Sequence, residues 1–227
     1  MEVRLDADRS RRKGFSEVIF CEGKSEKQLL GIAEEIRTLK LDTAFSRMCE
    51  GQFRTVASVI EGFRYDPVSR IGHTDFGTIK KNGALIAVVS AGSTDVPAAE
   101  EAAQVIEFFG SRAERFYDVG VAGIHRLFDV LPEIKKADVV IVAAGMDGAL
   151  PSVVSGLVSS LVIGLPTSVG YGIAEKGNTA LRSMLCSCSP GLVVVNIDNG
   201  VGAALSALAA SKIKCSEPGQ YNLLDEG

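Results

Sequence analysis

The sequence predicts an α/β protein: a doubly wound, Rossmann-like parallel sheet preceded by a small N-terminal α+β domain. Three observations carry that expectation. From Gly83 to Cys215, apolar runs of four or five residues alternate with Ala-rich amphipathic stretches, as in parallel strands covered on both faces by helices. Glycines gather where those runs end, which suits loops that must approach a ligand closely. From Met1 to about Asn82 the chain is instead polar and of mixed charge, and the shift marks a boundary. The expected division is a small domain over 1–82, a catalytic domain over 83–215 and a C-terminal tail over 216–227.

In the first part, charges between Asp6 and Glu17 precede a strand-like Val18-Ile-Phe-Cys21. Leu29, Ile32, Ala33 and Ile36 then recur at helical spacing, and Ser25 with Gln28 forms a capping-box pattern. In the second part, 85–89 is a strand that runs into Ser90-Ala-Gly-Ser-Thr-Asp95, followed by a helix over 97–109. Pro97 falls in that helix's first turn, where its missing N–H costs nothing. Residues 116–121 are expected as the second strand and 125–131 as a helix. Strands follow at 139–143, 161–165 and 192–195, with helices from about Ala149 and over 200–211.

Composition narrows the function. With 24 Lys and Arg against 28 Asp and Glu the net charge is −4, and the pI is about 5.3. No broad cationic surface is available to neutralise a phosphate backbone, so nucleic acid is not an expected partner. Mean hydropathy is +0.21, yet every apolar run ends well before the roughly 20 residues that a membrane span needs. Five cysteines at irregular spacing, with no apolar segment at the start, lead us to expect free thiols in the cytoplasm. Trp is absent, which leaves few platforms for stacking on single strands.

In a doubly wound sheet, ligands bind beyond the carboxyl ends of the strands. Four loops there are candidates. Gly92, Ser93, Thr94 and Asp95 offer amides and hydroxyls at a helix N-terminus, a cradle for phosphate. Gly145, Met146, Asp147 and Gly148 form a Gly-rich turn, as do Thr167 and Ser168 with the glycines after them. Asn196, Asp198 and Asn199 follow the last strand. Neither a G-x-G-x-x-G fingerprint nor a Walker A sequence occurs, which disfavours a standard dinucleotide oxidoreductase or a P-loop ATPase.

Several side chains allow two readings. Cys188, in Cys186-Ser-Cys188-Ser-Pro-Gly191, is either a small packed thiol or a nucleophile. Two thiols with one spacer make a weak zinc signal. Asp147 either caps the next helix or acts as general acid or base. Asp95 is an N-cap or a holder of a ribose hydroxyl. His73, in the link between domains, and His125, at a helix start, have no matching serine and carboxylate for a triad.

These motifs resemble the LarB family, named for its part in making the nickel-pincer nucleotide cofactor. The resemblance runs through Asp6, Arg9, Arg12, Gly14, Glu17 and Val18; Ser90-Ala-Gly-Ser-Thr-Asp95; Gly120-Val-Ala-Gly-Ile-His125; Ala144-Gly-Met-Asp-Gly-Ala-Leu-Pro151; Pro166-Thr-Ser-Val-Gly-Tyr-Gly172; and Ser187-Cys-Ser-Pro-Gly191 to Asn196-Ile-Asp-Asn-Gly200. It implies a carboxylase and hydrolase that converts nicotinic acid adenine dinucleotide, CO2 and water to pyridinium-3,5-biscarboxylic acid mononucleotide and AMP. By resemblance, Cys188 is the nucleophile, Mg2+ is the associated metal and a homo-oligomer, an octamer in the purine-pathway relatives, is the expected assembly. Two departures stand out. Asp147 replaces the family's usual Glu, and the His often found near residues 7 and 8 is missing.

The second part also resembles aminoimidazole ribonucleotide carboxylase of purine synthesis. That enzyme's Gly-Ser-x-Ser-Asp loop becomes Gly92-Ser-Thr-Asp95 after Ala91, and the His of its Ala-Ala-His-Leu-Pro loop is replaced by Ala149. This activity ranks second. A non-catalytic nucleotide-binding regulator is the third reading, and the intact Cys188 speaks against it.

Overall fold

The computed structural model describes residues 5–214 except 7 and 82. A four-stranded mixed sheet comes first. Its strands are β1 (Val18–Phe20), β2 (Ala44–Ser46), β3 (Arg64–Asp66) and β4 (Ile71–His73), in the order β1-β2-β4-β3. Helices α1 (Arg9–Lys13), α2 (Glu26–Leu39) and α3 (Glu50–Ala57) accompany it. The Ser25–Gln28 capping box forms at the start of α2, whose Leu29, Ile32, Ala33 and Ile36 are buried with Ile19, Phe45 and Met48. His73 closes β4 and is therefore part of this sheet rather than of a linker.

The resemblance motif before β1 is a local lock. Arg12 holds both oxygens of Asp6 at 2.5 and 2.6 Å, and the Asp6 N–H donates to Glu17 at 3.1 Å. Gly14, at φ 76°, takes the left-handed turn that ends α1.

Five parallel strands follow: β5 (Leu85–Ser90), β6 (Arg112–Phe116), β7 (Val139–Ala144), β8 (Leu161–Pro166) and β9 (Leu192–Val194). Their order is β6-β5-β7-β8-β9. Helices α4 (Val96–Phe108) and α8 (Gly200–Lys214) cover one face. There Ala99, Ala102 and Ala103 meet Ala203, Ala204 and Ala207, small side chains that let the two helices pack closely over Ile86, Val88, Ile141 and Ile163. On the other face, α5 (Ile124–Ile134), α6 (Leu150–Ser155) and α7 (Asn178–Leu185) bury Leu127, Ile134, Leu150, Val154, Ala180 and Met184. Full burial of each large aliphatic contributes about 1.5–3 kcal/mol, so the sheet is a rigid base for its loops.

One strand lies earlier than the sequence suggests. The second parallel strand is 112–116, not 116–121. It is an edge strand, so it can carry the charged Arg112, Glu114 and Arg115. Beyond it, Asp118 turns to φ 58°. The amides of Asp118 and Val119 bond the side chain and carbonyl of Ser90 instead of extending the ladder. No helix among the described residues is long and apolar enough to cross a membrane.

Candidate active site

β6 lies on one side of β5 and β7 on the other, so the connections leaving β5 and β7 diverge. A crevice opens at the carboxyl ends of these two strands, the place where sheets of this order bind nucleotides. The loops after β5, β7, β8 and β9 border it.

Asp95 is the hub. It is only 4% exposed. Thr167 donates its hydroxyl to one carboxylate oxygen at 2.6 Å, while the other accepts the Gly92 N–H at 2.9 Å. The Gly145 N–H also donates to it. Asp95 therefore does not cap α4 with its side chain; it ties together the loops after β5, β7 and β8. Burial pushes its carboxyl above the ordinary value, against the pull of those three donors, and the nearby Asp198 charge adds to the rise. Ser93 and Thr94 stay exposed in the same loop.

The loop after β7 needs its glycines. A Cβ on Gly145 would lie 2.4 Å from the Val169 carbonyl and 2.7 Å from the Thr167 hydroxyl. Gly148 sits at φ 62° against Ala180. Between them, Met146 is held in the left-handed region at φ 48°, its N–H bonded to the Val169 carbonyl at 2.9 Å. Asp147 is exposed and accepts the Ala149 N–H at 3.2 Å, so it shapes the entry to α6 while keeping its carboxylate in solvent.

After β8, Ser168 donates its N–H to Asp198 at 2.8 Å, and the Asp198 N–H returns to the Pro166 carbonyl at 2.8 Å. Asn199 caps α8 by accepting the Gly202 N–H at 2.8 Å. Asn196 accepts the N–H of Ile197 at 2.9 Å. Asp95 thus joins the loops after β5, β7 and β8, and Asp198 joins those after β8 and β9, whereas the bonds of Asn196 and Asn199 are local.

Cys188 stands elsewhere in the sheet. It is exposed and belongs to the connection entering the amino end of β9. Its neighbours fasten that connection to α6: Ser187 and Ser152 share a 2.8 Å hydroxyl bond, and Ser189 donates to the Ser152 carbonyl at 2.8 Å. The thiol loop therefore rests on the helix that begins just after Asp147. Among the described residues no hydrogen bond links Cys188 to Asp147 or Asp95. By contrast, Cys21 is buried and its thiol is pushed up to about 12 by desolvation, a packed and inert sulfur. Cys215 lies outside the described residues.

Sequence reading missed three residues. Arg47, just after β2, donates to Glu101 of α4 at 3.0 Å and to the carbonyl of Asp198. Glu101 is buried and also accepts the N–H of Gly200 at 2.9 Å. Burial raises its carboxyl, against Arg47 and the amides that open α8. Arg70 lies beside Arg47. The available signal was Glu101, a carboxylate on the Ala-rich buried stripe of α4; such a group needs a partner. Together these side chains place the four-stranded sheet over the crevice, and a cavity of about 210 Å³ remains between the two.

Among the described residues no group of three His, Cys, Asp or Glu side chains converges as a metal site, so they do not form a protein cage for magnesium.

Comparison with known proteins agrees with this arrangement. The pattern of the LarB/PurE-like N-terminal domain matches residues 2–75, and that of AIR carboxylase matches 85–220. An uncharacterized protein of Methanocaldococcus jannaschii is 38% identical over 93% of this chain and 84% of its own length. The chain belongs to the LarB family. The core of this LarB-family chain is that of carboxylases and mutases. The N5-carboxyaminoimidazole ribonucleotide mutase of the same organism is 33% identical over 57% of this chain and 80% of its own. That of Pyrococcus abyssi is 32% identical, over 58% and 76%. The crystal structure of Treponema denticola PurE is 23% identical, covering 58% of this chain and 89% of that one, with a TM-score of 0.44.

Proposed function

We propose that this protein carboxylates nicotinic acid adenine dinucleotide at ring carbon 5 and cleaves its phosphoanhydride, yielding pyridinium-3,5-biscarboxylic acid mononucleotide and AMP. The observation that carries the reading is Cys188: an exposed thiol, inside a stretch that resembles the family's nucleophile motif, in a chain whose second half has a carboxylase core. A pyridinium ring is too electron-poor to attack CO2. Addition of the Cys188 thiolate at C4 or C6 forms a C–S bond, moves the ring electrons onto C5 and leaves an enamine. C5 then forms a bond to CO2. Loss of the C5 proton and expulsion of the thiolate restore the aromatic cation. Asp147, exposed beyond the carboxyl end of β7, is the assigned acceptor of that proton; because Cys188 precedes the amino end of β9, in this reading the two act on one ring across neighbouring copies of the chain. Water adds to the diphosphate in the hydrolytic step, releasing AMP.

In this reading the loop over 92–95 holds a phosphate, and the rim of Thr167, Ser168, Asn196, Asp198 and Asn199 holds the nucleotide. Magnesium enters on the diphosphate, in keeping with its preference for substrate phosphates and water over an all-protein cage. Homo-oligomeric assembly, up to the octamer, belongs to the same reading. Tyr171 and Ile173 are 81% and 84% exposed, and Leu185 and Val193 are exposed as well, apolar surface that a second copy would cover.

Carboxylation of aminoimidazole ribonucleotide is the second reading, favoured by the mutase relatives. Against it stands Ala149, where the purine enzyme has its proton-carrying His. Purified protein given bicarbonate and magnesium, with each nucleotide in turn, decides by mass spectrometry. The dicarboxylated mononucleotide plus AMP is expected. Consumption of aminoimidazole ribonucleotide alone would transfer the assignment to purine chemistry, and tight binding without turnover would make the protein a regulator.

A further inference from the structure

The cavity between the two sheets has walls of unequal origin. Thr94 and Ser168 come from the crevice loops; Arg47, Val68, Ser69 and Arg70 come from the four-stranded sheet. β2 and β4 are antiparallel neighbours, so Arg47, which follows β2, and Arg70, which precedes β4, lie at the same end of the pair. Both are held in the left-handed region, at φ 56° and 58°. Such a conformation is costly for a side chain with a Cβ, and residues kept in it cluster at ligand sites.

Their charges differ in how they are satisfied. Arg47 is paired with Glu101, and the Asp198 carboxylate in the same wall is engaged by the Ser168 N–H. Among the described residues Arg70 donates only to main-chain oxygens, those of Met48 at 3.1 Å and Arg47 at 2.8 Å. Among the described residues no carboxylate stands within ion-pair distance of it. A guanidinium carries five N–H donors in a fork that matches phosphate. A half-buried cation facing a cavity without a carboxylate partner is completed by an anion from outside.

We propose that Arg70, steadied by Arg47, is the subsite for the second phosphate of a dinucleotide, so that the N-terminal sheet sets the preference for dinucleotide over mononucleotide. The inference rests on the nicotinic acid adenine dinucleotide reading above and assigns part of that recognition. Size agrees with it: about 210 Å³ is below the roughly 300 Å³ of pockets that enclose whole small molecules, but it has room for a phosphate group. Division of labour agrees too. The mutase relatives align with only 57–58% of this chain, and the arginines lie in the additional sheet, within the segment matched by the N-terminal pattern.

The test is equilibrium dialysis of the full chain, without bicarbonate, against nicotinic acid adenine dinucleotide and nicotinic acid mononucleotide. Two variants are compared with wild type. Arg70→Gln removes the cation. Val68→Glu adds a negative charge at an exposed position on the cavity wall and removes no internal hydrogen bond, so its fold is retained; an unchanged urea midpoint verifies this. Each variant should bind the dinucleotide at least tenfold more weakly while its mononucleotide affinity stays within twofold. Equal losses for both ligands, or unchanged dinucleotide binding by folded Val68→Glu, overturn the subsite. If wild type binds the dinucleotide in this Arg70-dependent way but forms no carboxylated product, the reaction assignment fails and the subsite stands. Absence of dinucleotide binding by wild type overturns both.

Discussion

Arg47 and Glu101 join the two sheets: the guanidinium Nε lies 3.0 Å from a carboxylate whose side chain is 5% exposed. Glu101 simultaneously accepts the Gly200 N–H that opens α8. Truncation by Arg47→Ala leaves a buried carboxylate without its cation, and the expected loss is about 2–4 kcal/mol in urea unfolding at pH 7. Burial already raises the Glu101 carboxyl, and removal of Arg47 raises it further. A carboxyl raised in the native state favours low pH, so the deficit should shrink on acidification. A deficit independent of pH would show that Arg47 acts through packing alone.

Thr167→Val tests the hub. The change is nearly isosteric but withdraws the 2.6 Å donor from buried Asp95. Leaving that oxygen short of a partner should cost about 1–3 kcal/mol at neutral pH. Asp95, already raised by burial, should titrate higher still in the variant. Its native state then binds the proton more tightly, so the penalty fades as pH drops below the raised value and is complete above it. NMR titration of the Asp95 carboxyl reads this directly, and an unshifted midpoint would refute the coupling.

Cys188→Ala should abolish carboxylation while changing stability by no more than about 0.5 kcal/mol, as for other exposed substitutions. Dinucleotide affinity should remain close to that of wild type. Product formation at the wild-type rate would dispose of the covalent route.

Gly145→Ala drives a methyl group to 2.4 Å from the Val169 carbonyl. The loops after β7 and β8 must separate, at a cost of about 1–3 kcal/mol. Dinucleotide binding should fall with stability, measured by dialysis and thermal unfolding on the same sample. A stable variant that binds normally would mean that this close approach has no functional weight.

Asp42 fastens the segment between the sheets. Its buried carboxylate accepts from Phe76 N, from the Thr78 amide and hydroxyl at 2.5 Å each, and from Ile79 N at 3.2 Å. Burial alone would raise its carboxyl, but these donors outweigh burial and hold it below the ordinary value. Asp42→Asn should cost about 2–3 kcal/mol at pH 7. The contribution is present above the unfolded carboxyl's value of about 3.9 and is lost as pH falls through the lower native one. Urea midpoints of wild type and variant should therefore converge below about pH 4.

Much of the architecture was legible in the chain because buried parallel strands leave uninterrupted Val and Ile runs, as at 85–89 and 139–143. Ser25 and Gln28 announced α2 through a purely local bond. The β6 strand was misplaced because an edge strand is charged on its outer positions and Phe116-Tyr-Asp-Val-Gly-Val121 looks the more apolar run. Strands β2, β3 and β4, three residues each, are too short to show a period.

For the site, the sequence by itself determined the candidate loops and the thiol, since glycines, hydroxyls and a Cys-Ser-Pro-Gly turn are visible residue by residue. Only the tertiary structure decided that Asp95 reaches across 72 positions to Thr167, that Arg47 reaches Glu101, and that Arg70 and Thr94 line one cavity. The physical reason is range. Turn chemistry and helix capping act over a few residues, whereas the partner of a buried charge is chosen by how two sheets pack, and no local pattern encodes that choice.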